Sequence, residues 1–259
     1  MNKSFIYPFI FLFFSIGLIS FSADIKPQSR FVDVGDTIDL FFTVGLPKDR
    51  NQMERMISQE AANLFDCESV IDVDPDDCKV LVRVYESTNG AGWTNNFNWL
   101  WSPIVDFWYG VTVDKYHVIG LDLGSNELDG TIPADIGNLT SLRTLALSFN
   151  NLTGTIPTEL GNLDNLERLY LNFNDFQGSL TAGLGNLSNL EQLYLFANPS
   201  LCGPIPQNYI NLTALERFWF YDTGLCEPSN PEFQAWKAQV SDWMGTVDCI
   251  YCYLPFILH

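Results

Sequence analysis

The chain has 259 residues, and its 31 acidic and 13 basic residues give a formal net charge of −18 at pH 7. Such an acidic surface repels nucleic acid and anionic lipid, so neither is an expected partner. The same acidity keeps an exported protein soluble, and it leaves a calcium-dependent or basic partner open.

Residues 1–22 have the features of a secretion signal. Lys3 gives a positive start, residues 5–19 are apolar, and Ser20 and Ser22 are small residues at the positions that a signal peptidase recognises. Cleavage after Ser22 removes the single charge of Lys3 and changes the net charge from −18 to −19. We therefore predict a protein that is secreted or at the cell surface and does not insert into a membrane once the signal is removed. A retained membrane anchor is the alternative.

Residues 23–73 are predicted to form an N-terminal extension that combines short strands with a helix. Apolar residues alternate across residues 32–44, with a Gly-Asp turn between two strands, and they recur at helical spacing within residues 49–66. This extension is predicted to pack on the open end of the domain that follows. A loosely attached pro-segment is the alternative.

The densest acidic cluster of the chain comes next and consists of Asp72, Asp74, Asp76 and Asp77. A D-x-D-x-D spacing can wrap a calcium ion, but an EF-hand requires Gly and Glu where this chain has Asp77 and Arg83. A helix start fits better, because Asp74 suits the N-cap and Pro75 suits the first helical position. The cluster therefore predicts a capped helix and no metal site.

Four tryptophans fall within sixteen residues of the segment after this helix: Trp93, Trp99, Trp101 and Trp108. Tryptophans at this density form either a platform on which sugars stack or the core of a small domain.

From Val118 to Leu225 one pattern recurs with a nearly constant period, which places equivalent leucines at Leu121, Leu145, Leu169 and Leu193. Four units share the consensus L-x-x-L-x-L-x-x-N-x-L-x-G-x-I-P, and LERFWFYDTGLC begins a fifth. Each unit is too small to bury its own apolar face, so its Leu, Ile and Val must pack on the same positions of the next coil. The pattern predicts an α/β solenoid, a right-handed leucine-rich repeat array with five parallel strands in one concave sheet.

Two further positions of the consensus predict turns. A buried asparagine side chain is expected to hydrogen-bond the backbone of the adjacent coil. Proline is expected to fix an extended return on the convex side. The asparagines are Asn126, Asn150, Asn174 and Asn198, and the prolines are Pro133, Pro157 and Pro206.

The LxGxIP block of these repeats resembles the plant-type leucine-rich repeat, which occurs in plant receptor ectodomains and in many secreted or surface proteins of bacteria and algae. The segments from Tyr85 to Val113 and from Thr223 to Trp243 are similar to the terminal caps of bacterial and algal members. The resemblance implies a helical N-terminal cap at residues 74–117, repeats at 118–225, and a C-terminal cap with a tail at 226–259. It also implies that the four tryptophans are cap core, which seals the first repeat from water.

Six cysteines in an exported chain suggest disulfides. Cys67 and Cys78 lie eleven residues apart at the junction of two predicted helices, and we predict that they pair. The resemblance implies a second bond between Cys226 and Cys249. The rival partner of Cys226 is Cys202, which has almost the same consensus position one coil earlier. The sixth cysteine, Cys252, has no obvious partner.

Binding is expected on the exposed face of the concave sheet. One outward column consists of Ala146, Tyr170, Tyr194 and Trp219, and a second of Ser148, Asn172, Phe196 and Tyr221. Exposed aromatics at this density exceed what solubility favours, which indicates a recognition surface. A ladder of rings that only stabilises the sheet is the alternative. The predicted partner-binding residues are Tyr170, Phe173, Tyr194, Phe196, Trp219, Tyr221, Arg143, Arg168 and Arg217.

Catalysis has little support in the sequence. The two histidines are His117 and His259, and the chain has no nucleophile motif and no phosphate loop. We therefore predict a monomeric, non-enzymatic, secreted binding module that needs no cofactor and recognises an extracellular protein or polysaccharide. A cell-surface structural or adhesion protein is the alternative, and a hydrolase is the third hypothesis.

Overall fold

A computed structural model of the chain describes residue 62 and residues 64–245. The chain divides into two units, Met1–Leu46 and Pro47–His259, and all the described residues belong to the second unit. The predicted signal, the predicted strands at residues 32–44 and most of the predicted helix at residues 49–66 lie outside the described residues. No helix in the described part of the chain is long and apolar enough to cross a membrane.

The described residues form eleven short strands, which alternate with turns and 3₁₀ helices. In chain order they are β1 (Val111–Asp114), β2 (His117–Asp122), β3 (Asp129–Gly130), β4 (Thr144–Ala146), β5 (Asn151–Leu152), β6 (Arg168–Tyr170), β7 (Gln192–Tyr194), β8 (Cys202–Pro204), β9 (Arg217–Trp219), β10 (Gly224–Cys226) and β11 (Asp242–Met244). Two α-helices, α1 (Pro75–Ser87) and α2 (Pro231–Lys237), flank the repeats in sequence.

The main sheet has seven strands in the order β1-β2-β4-β6-β7-β9-β11. The five strands from the repeats, β2, β4, β6, β7 and β9, are parallel, as the repeat consensus predicts. The capping segments add one strand at each edge, with β1 antiparallel to β2 and β11 parallel to β9. The sequence did not predict these two edge strands. They continue the hydrogen bonding of the first and last repeat, so neither edge strand of the repeats is left unpaired.

The leucines of the consensus form the core. Leu121, Leu145, Leu169, Leu193 and Phe218 face one another along the sheet, and each is fully buried. Repeats that pack in this way bury a continuous apolar column that no single repeat could bury alone. The fold is thus a leucine-rich repeat solenoid.

The buried asparagines hydrogen-bond the backbone of neighbouring coils, as predicted. The Asn150 carbonyl oxygen accepts bonds from the backbone N–H groups of Asn126 and Leu128, both at 3.0 Å. Its amide nitrogen donates to the backbone oxygens of Leu123 and Leu147 at 2.9 and 3.0 Å. One side chain therefore joins two coils. Asn174 and Asn198 likewise bond the backbone of their own coil and of the preceding one, whereas Asn126 bonds the backbone of Asn95 in the N-terminal cap.

Each repeat makes an extended step and then a single 3₁₀ turn, and the residue in the extended step is proline in three repeats and Thr181 in the other. Pro133 has φ −72° and ψ 147°, and the 3₁₀ helix Ala134–Asn138 follows it. Equivalent 3₁₀ helices span Thr158–Asn162, Ala182–Asn186 and Gln207–Asn211. The extended conformation confirms the prediction for proline, whereas the 3₁₀ turns were not predicted.

All four residues of the acidic cluster have structural roles. Asp74 caps α1 by accepting a bond from the backbone N–H of Asp76 at 2.8 Å. Asp72 accepts bonds from the backbone of the cap loop, Asp76 accepts one from the Lys79 ammonium, and Asp77 accepts one from the backbone N–H of Val118. Within residues 64–245, no group of three or more His, Cys, Asp or Glu is arranged to hold a metal ion. The contacts therefore confirm the capped helix.

Three of the four cap tryptophans are buried, as the resemblance implies. Trp93, Trp99 and Trp108 pack against one another, and each indole N–H donates to a backbone oxygen. Trp101 contradicts the prediction, because 75% of its surface is exposed. Its backbone N–H donates to the carbonyl oxygen of Asn98 within an irregular loop. Because this loop is not part of a repeat, no repeat register directs the Trp101 side chain into the core.

Cys67 and Cys78 form a disulfide, with their Cα atoms 5.7 Å apart, which confirms the predicted pair. The rival pairing of Cys202 with Cys226 is wrong, because Cys226 is disulfide-bonded and Cys202 is a free thiol. In the pairing of β8 with β10, Cys202 lies opposite Gly224 and Cys226 lies opposite Pro204, so the two cysteines are not neighbours. The predicted bond to Cys249 stays a prediction, since residues 246–259 lie outside the described part of the chain.

The C-terminal cap closes the array with aromatic side chains. Phe233 and Trp236 of α2 are buried, and Trp243 of β11 packs edge-on against Phe218 of the last repeat. The Trp243 indole N–H donates to Glu227, whose other carboxylate oxygen pairs with Lys237. These contacts shield the apolar end of the last coil from water.

Candidate binding surface on the parallel sheet

The strands of the sheet alternate between core and exposed side chains. In β6 and its continuation, Leu169 and Leu171 are fully buried, whereas Tyr170 between them is half-buried on the opposite face. Because side chains alternate along a strand, every repeat contributes its outward residues to this same face. We refer to it as the exposed sheet face.

Three aromatic rings form a first row across the exposed sheet face. Tyr170 pairs in register with Tyr194, and Tyr194 pairs with Trp219. Their rings stack with centroid distances of 4.9 and 4.5 Å and interplanar angles of 23° and 14°. Both faces of the Tyr194 ring are therefore covered by neighbouring rings, and its edge is directed to solvent.

A second row contains Phe196 and Tyr221, whose rings stack at 4.5 Å. Tyr221 is half-buried, but Phe196 is buried, with 8% of its surface exposed. Phe196 also contacts the rings of Phe173, Tyr194 and Trp219, which surround it. The prediction of Phe196 as a contact residue is thus wrong, because it packs beneath the rings that are exposed. We call the first row and Tyr221 together the aromatic rows.

Two other members of the predicted columns are covered by their neighbours, whereas Ser148 is half-buried. Asn172, in the second column, is 4% exposed, and Ala146, in the first, is 7% exposed. Within the first column, the large side chains that remain half-exposed are therefore those of Tyr170, Tyr194 and Trp219, on β6, β7 and β9.

Three arginines lie at the starts of the strands, at one edge of the aromatic rows. Arg168 approaches Glu167 and Glu191, with N–O distances of 3.5 and 3.9 Å, and Arg217 lies 4.0 Å from Asp242. Arg143 is exposed and has no ion pair within the described residues. These loose pairs leave the guanidinium groups available to a partner, since exposed ion pairs contribute little to stability.

Tyrosine hydroxyl groups connect the rows to their polar edge. The Tyr170 hydroxyl donates to the Gln192 side chain at 2.6 Å, and burial of this ring raises the pKa of Tyr170. A hydrogen bond with Tyr194 raises the pKa of Arg217, so this guanidinium stays fully charged. Trp219 differs from both tyrosines, because its buried indole nitrogen has no hydrogen-bond partner. Stacking therefore holds this ring in place.

Comparison with known proteins agrees with the solenoid. The family model for the Leucine Rich Repeat matches residues 117–139, 141–163 and 165–187. No curated protein is significantly similar to the chain in sequence.

The similar solved structures include leucine-rich repeat ectodomains of Arabidopsis thaliana. The ectodomain of the receptor kinase GASSHO1/SCHENGEN3, in complex with CASPARIAN STRIP INTEGRITY FACTOR 2, is 30% identical, with a TM-score of 0.59. This match covers 66% of our chain and 21% of that chain, so our chain spans about a fifth of the receptor ectodomain.

Two shorter ectodomains match over nearly their full length. The BIR2 ectodomain is 28% identical with a TM-score of 0.53, and the match covers 70% of our chain and 97% of that chain. The ectodomain of the receptor kinase SOBIR1 is 24% identical with a TM-score of 0.57, covering 68% and 95%, and shows likeness in fold alone. The matched repeats and these neighbours support a plant-type leucine-rich repeat protein.

Proposed function

We propose that this chain is a secreted, non-enzymatic binding module that recognises a protein partner through the aromatic rows of its exposed sheet face. The observation that carries the proposal is the uninterrupted stacking of Tyr170, Tyr194 and Trp219 on a rigid sheet. Rings held in this way lose little conformational entropy when a partner binds, and they offer a large contact area.

The stacking favours a protein over a polysaccharide. A sugar ring packs on an open aromatic face, but both faces of Tyr194 are covered by its neighbours. The row therefore presents ring edges and hydroxyl groups, which suit the mixed apolar and polar surface of a protein or peptide. The arginines at the starts of the strands would orient such a partner by charge.

The comparisons support the same class of partner. The GASSHO1/SCHENGEN3 ectodomain, which shares the fold and 30% of its residues over the matched region, is seen in complex with CASPARIAN STRIP INTEGRITY FACTOR 2. A repeat scaffold with an exposed aromatic sheet suits binding of this kind, although the fold alone specifies no partner.

Secretion is supported by one feature of the sequence and one of the structure. Residues 1–22 have the pattern of a cleaved signal, and Cys67 and Cys78 form a disulfide, a bond that persists in oxidising compartments. N-terminal sequencing of the exported protein should begin at Ala23. We also propose that the chain acts as a monomer, which light scattering on the purified protein would check.

The binding proposal can be tested before the natural partner is identified. A random peptide display library is selected on the purified chain of residues 23–259, and the affinities of recovered peptides are compared across variants. Tyr194→Ala and Trp219→Ala should each weaken binding at least about tenfold, which corresponds to hot-spot residues. Each should also lower stability by about 1 kcal/mol, because each removes stacking with a neighbour.

The matched control is Thr155→Ala, which changes an exposed residue away from the sheet. This variant should keep wild-type affinity for every selected peptide. If the recovered peptides bind the Tyr194 and Trp219 variants as tightly as the wild type, the aromatic rows are a stabilising ladder and not a recognition surface.

A further inference from the structure

The third residue after each repeat strand takes a left-handed backbone conformation. Ser125, Phe149, Phe173, Ala197 and Asp222 occupy this position, with φ between 53° and 58°. The conformation is costly for any residue except glycine, and more so for a bulky one. Three coils use a small or polar residue there, but two adjacent coils use phenylalanine. Strain of this kind persists mainly where it serves a function.

The two phenylalanines form an exposed pair at the end-of-strand edge of the sheet. The Phe149 and Phe173 rings stack at 4.3 Å with an interplanar angle of 17°. They are 52% and 42% exposed, more than the rings of the aromatic rows, which are half-buried. Burial therefore does not account for these two rings.

One face of the Phe149 ring remains open. Equivalent residues of successive coils follow one another along the array, so Phe149 has Phe173 on one side and Ser125 on the other. Because serine is small, a groove remains beside the ring. Thr94, Ser125, Glu127, Phe149, Asn150, Asn151 and Phe173 line this groove.

The charged side chains that follow the strands at this edge are acidic. The exposed acids Glu127, Asp175 and Asp222 follow the strands, and residues 122–131, 146–155 and 170–179 contain no Lys or Arg. None of these three acids has an ion pair within the described residues. The arginines of the sheet lie at the opposite edge, at the starts of the strands, so the groove pairs an open aromatic face with an uncompensated carboxylate.

We propose that the groove beside Phe149 receives an arginine or lysine side chain of the protein partner. The cation would lie over the open face of Phe149 and pair with the Glu127 carboxylate, while the Thr94 hydroxyl and the Asn151 amide oxygen accept hydrogen bonds from it. An aromatic face attracts a cation through its quadrupole, and guanidinium is preferred because it is planar and stacks. An anionic group would be repelled here, and a neutral apolar group would bury Glu127 without a partner.

This subsite is separate from the aromatic rows, so it can be tested separately. The full mature chain is labelled with ¹³C in its phenylalanines and titrated with two acetylated, amidated peptides, Gly-Gly-Arg-Gly-Gly and its citrulline analogue. Citrulline keeps the shape of arginine and removes its charge. The arginine peptide should shift the Phe149 and Phe173 signals, and its dissociation constant should be at least about threefold lower than that of the citrulline peptide.

Two variants test the assigned residues. Phe149→Leu keeps apolar bulk but removes the π face, and Glu127→Gln keeps the shape but removes the charge. Each should weaken binding of the arginine peptide about threefold or more and bring it close to that of the citrulline peptide. Both residues are exposed, so neither change should disturb the fold. Loss of the Phe149 signal in the leucine variant also assigns that resonance.

Tyr194→Ala is the control that separates this subsite from the aromatic rows, and it should leave the titration unchanged. Equal shifts from the two peptides, or no shift from the arginine peptide, would overturn the proposal. Those results would leave the proposed role of the aromatic rows intact. Conversely, if the selected peptides bound the Tyr194 and Trp219 variants as tightly as the wild type, the role proposed for the aromatic rows would be wrong, but the proposal for this groove would be unaffected.

Discussion

Replacement of Asn150 by alanine should destabilise the whole array, because one side chain serves four backbone groups in two coils. The change leaves the N–H groups of Asn126 and Leu128 and the carbonyl oxygen of Leu123 without this partner, whereas the Leu147 carbonyl oxygen keeps its bond from the Asn174 amide. A buried polar group without a partner costs about 1–3 kcal/mol. Even at the low end of that range, three such groups predict a loss of about 3 kcal/mol.

Chemical denaturation followed by tryptophan fluorescence measures this loss directly. The matched control is Asn165→Ala, which removes one exposed bond from the Asn165 amide to the Thr140 carbonyl oxygen at 2.9 Å. A surface change of this kind should cost no more than about 0.5 kcal/mol. If the two variants unfolded at the same denaturant concentration, the buried asparagines would not hold the coils together.

Two further predictions follow from the N-terminal helix and the cysteines. Burial raises the pKa of the Asp77 carboxyl above its ordinary value of 3.8. As the pH rises, the unfolded chain therefore loses this proton before the folded chain does. The free energy of unfolding should fall as the pH rises from about 3.8 through the raised pKa. Asp77→Asn cannot titrate, so melting temperatures measured across this range should fall less in the variant, and parallel curves would contradict the assignment. Peptide mapping under non-reducing conditions should show Cys226 joined to Cys249 and Cys202 alkylated as a free thiol. A Cys202–Cys226 peptide would contradict the strand register.

The repeat period determined most of the fold from sequence alone. A nearly constant spacing brings each leucine onto its equivalent in the next coil, so the five parallel strands, the core and the asparagine ladder follow from the consensus. Local chemistry was equally informative at Asp74, where the capping residue and the following proline define the start of α1. The sequence also located the aromatic columns, because outward positions recur with the same period.

The exposure of each aromatic ring was decided by the tertiary structure. Phe196 and Phe173 occupy adjacent coils, yet Phe196 is covered by the rings of Phe173, Tyr194 and Trp219, whereas Phe173 is exposed. Exposure depends on the side chains of the neighbouring coils and on their rotamers, which the consensus does not specify. The same limit explains Trp101, whose cap loop has no repeat register to direct the side chain.

Strand pairing explains the remaining differences between the predicted and the observed structure. Cys202 and Cys226 have nearly the same consensus position, but a shift of two residues between β8 and β10 separates them. The edge strands β1 and β11 carry no repeat consensus and form because the first and last repeats offer unpaired backbone groups. Periodicity thus determined what each repeat buries, whereas the contacts between coils and caps decided which side chains remain at the surface.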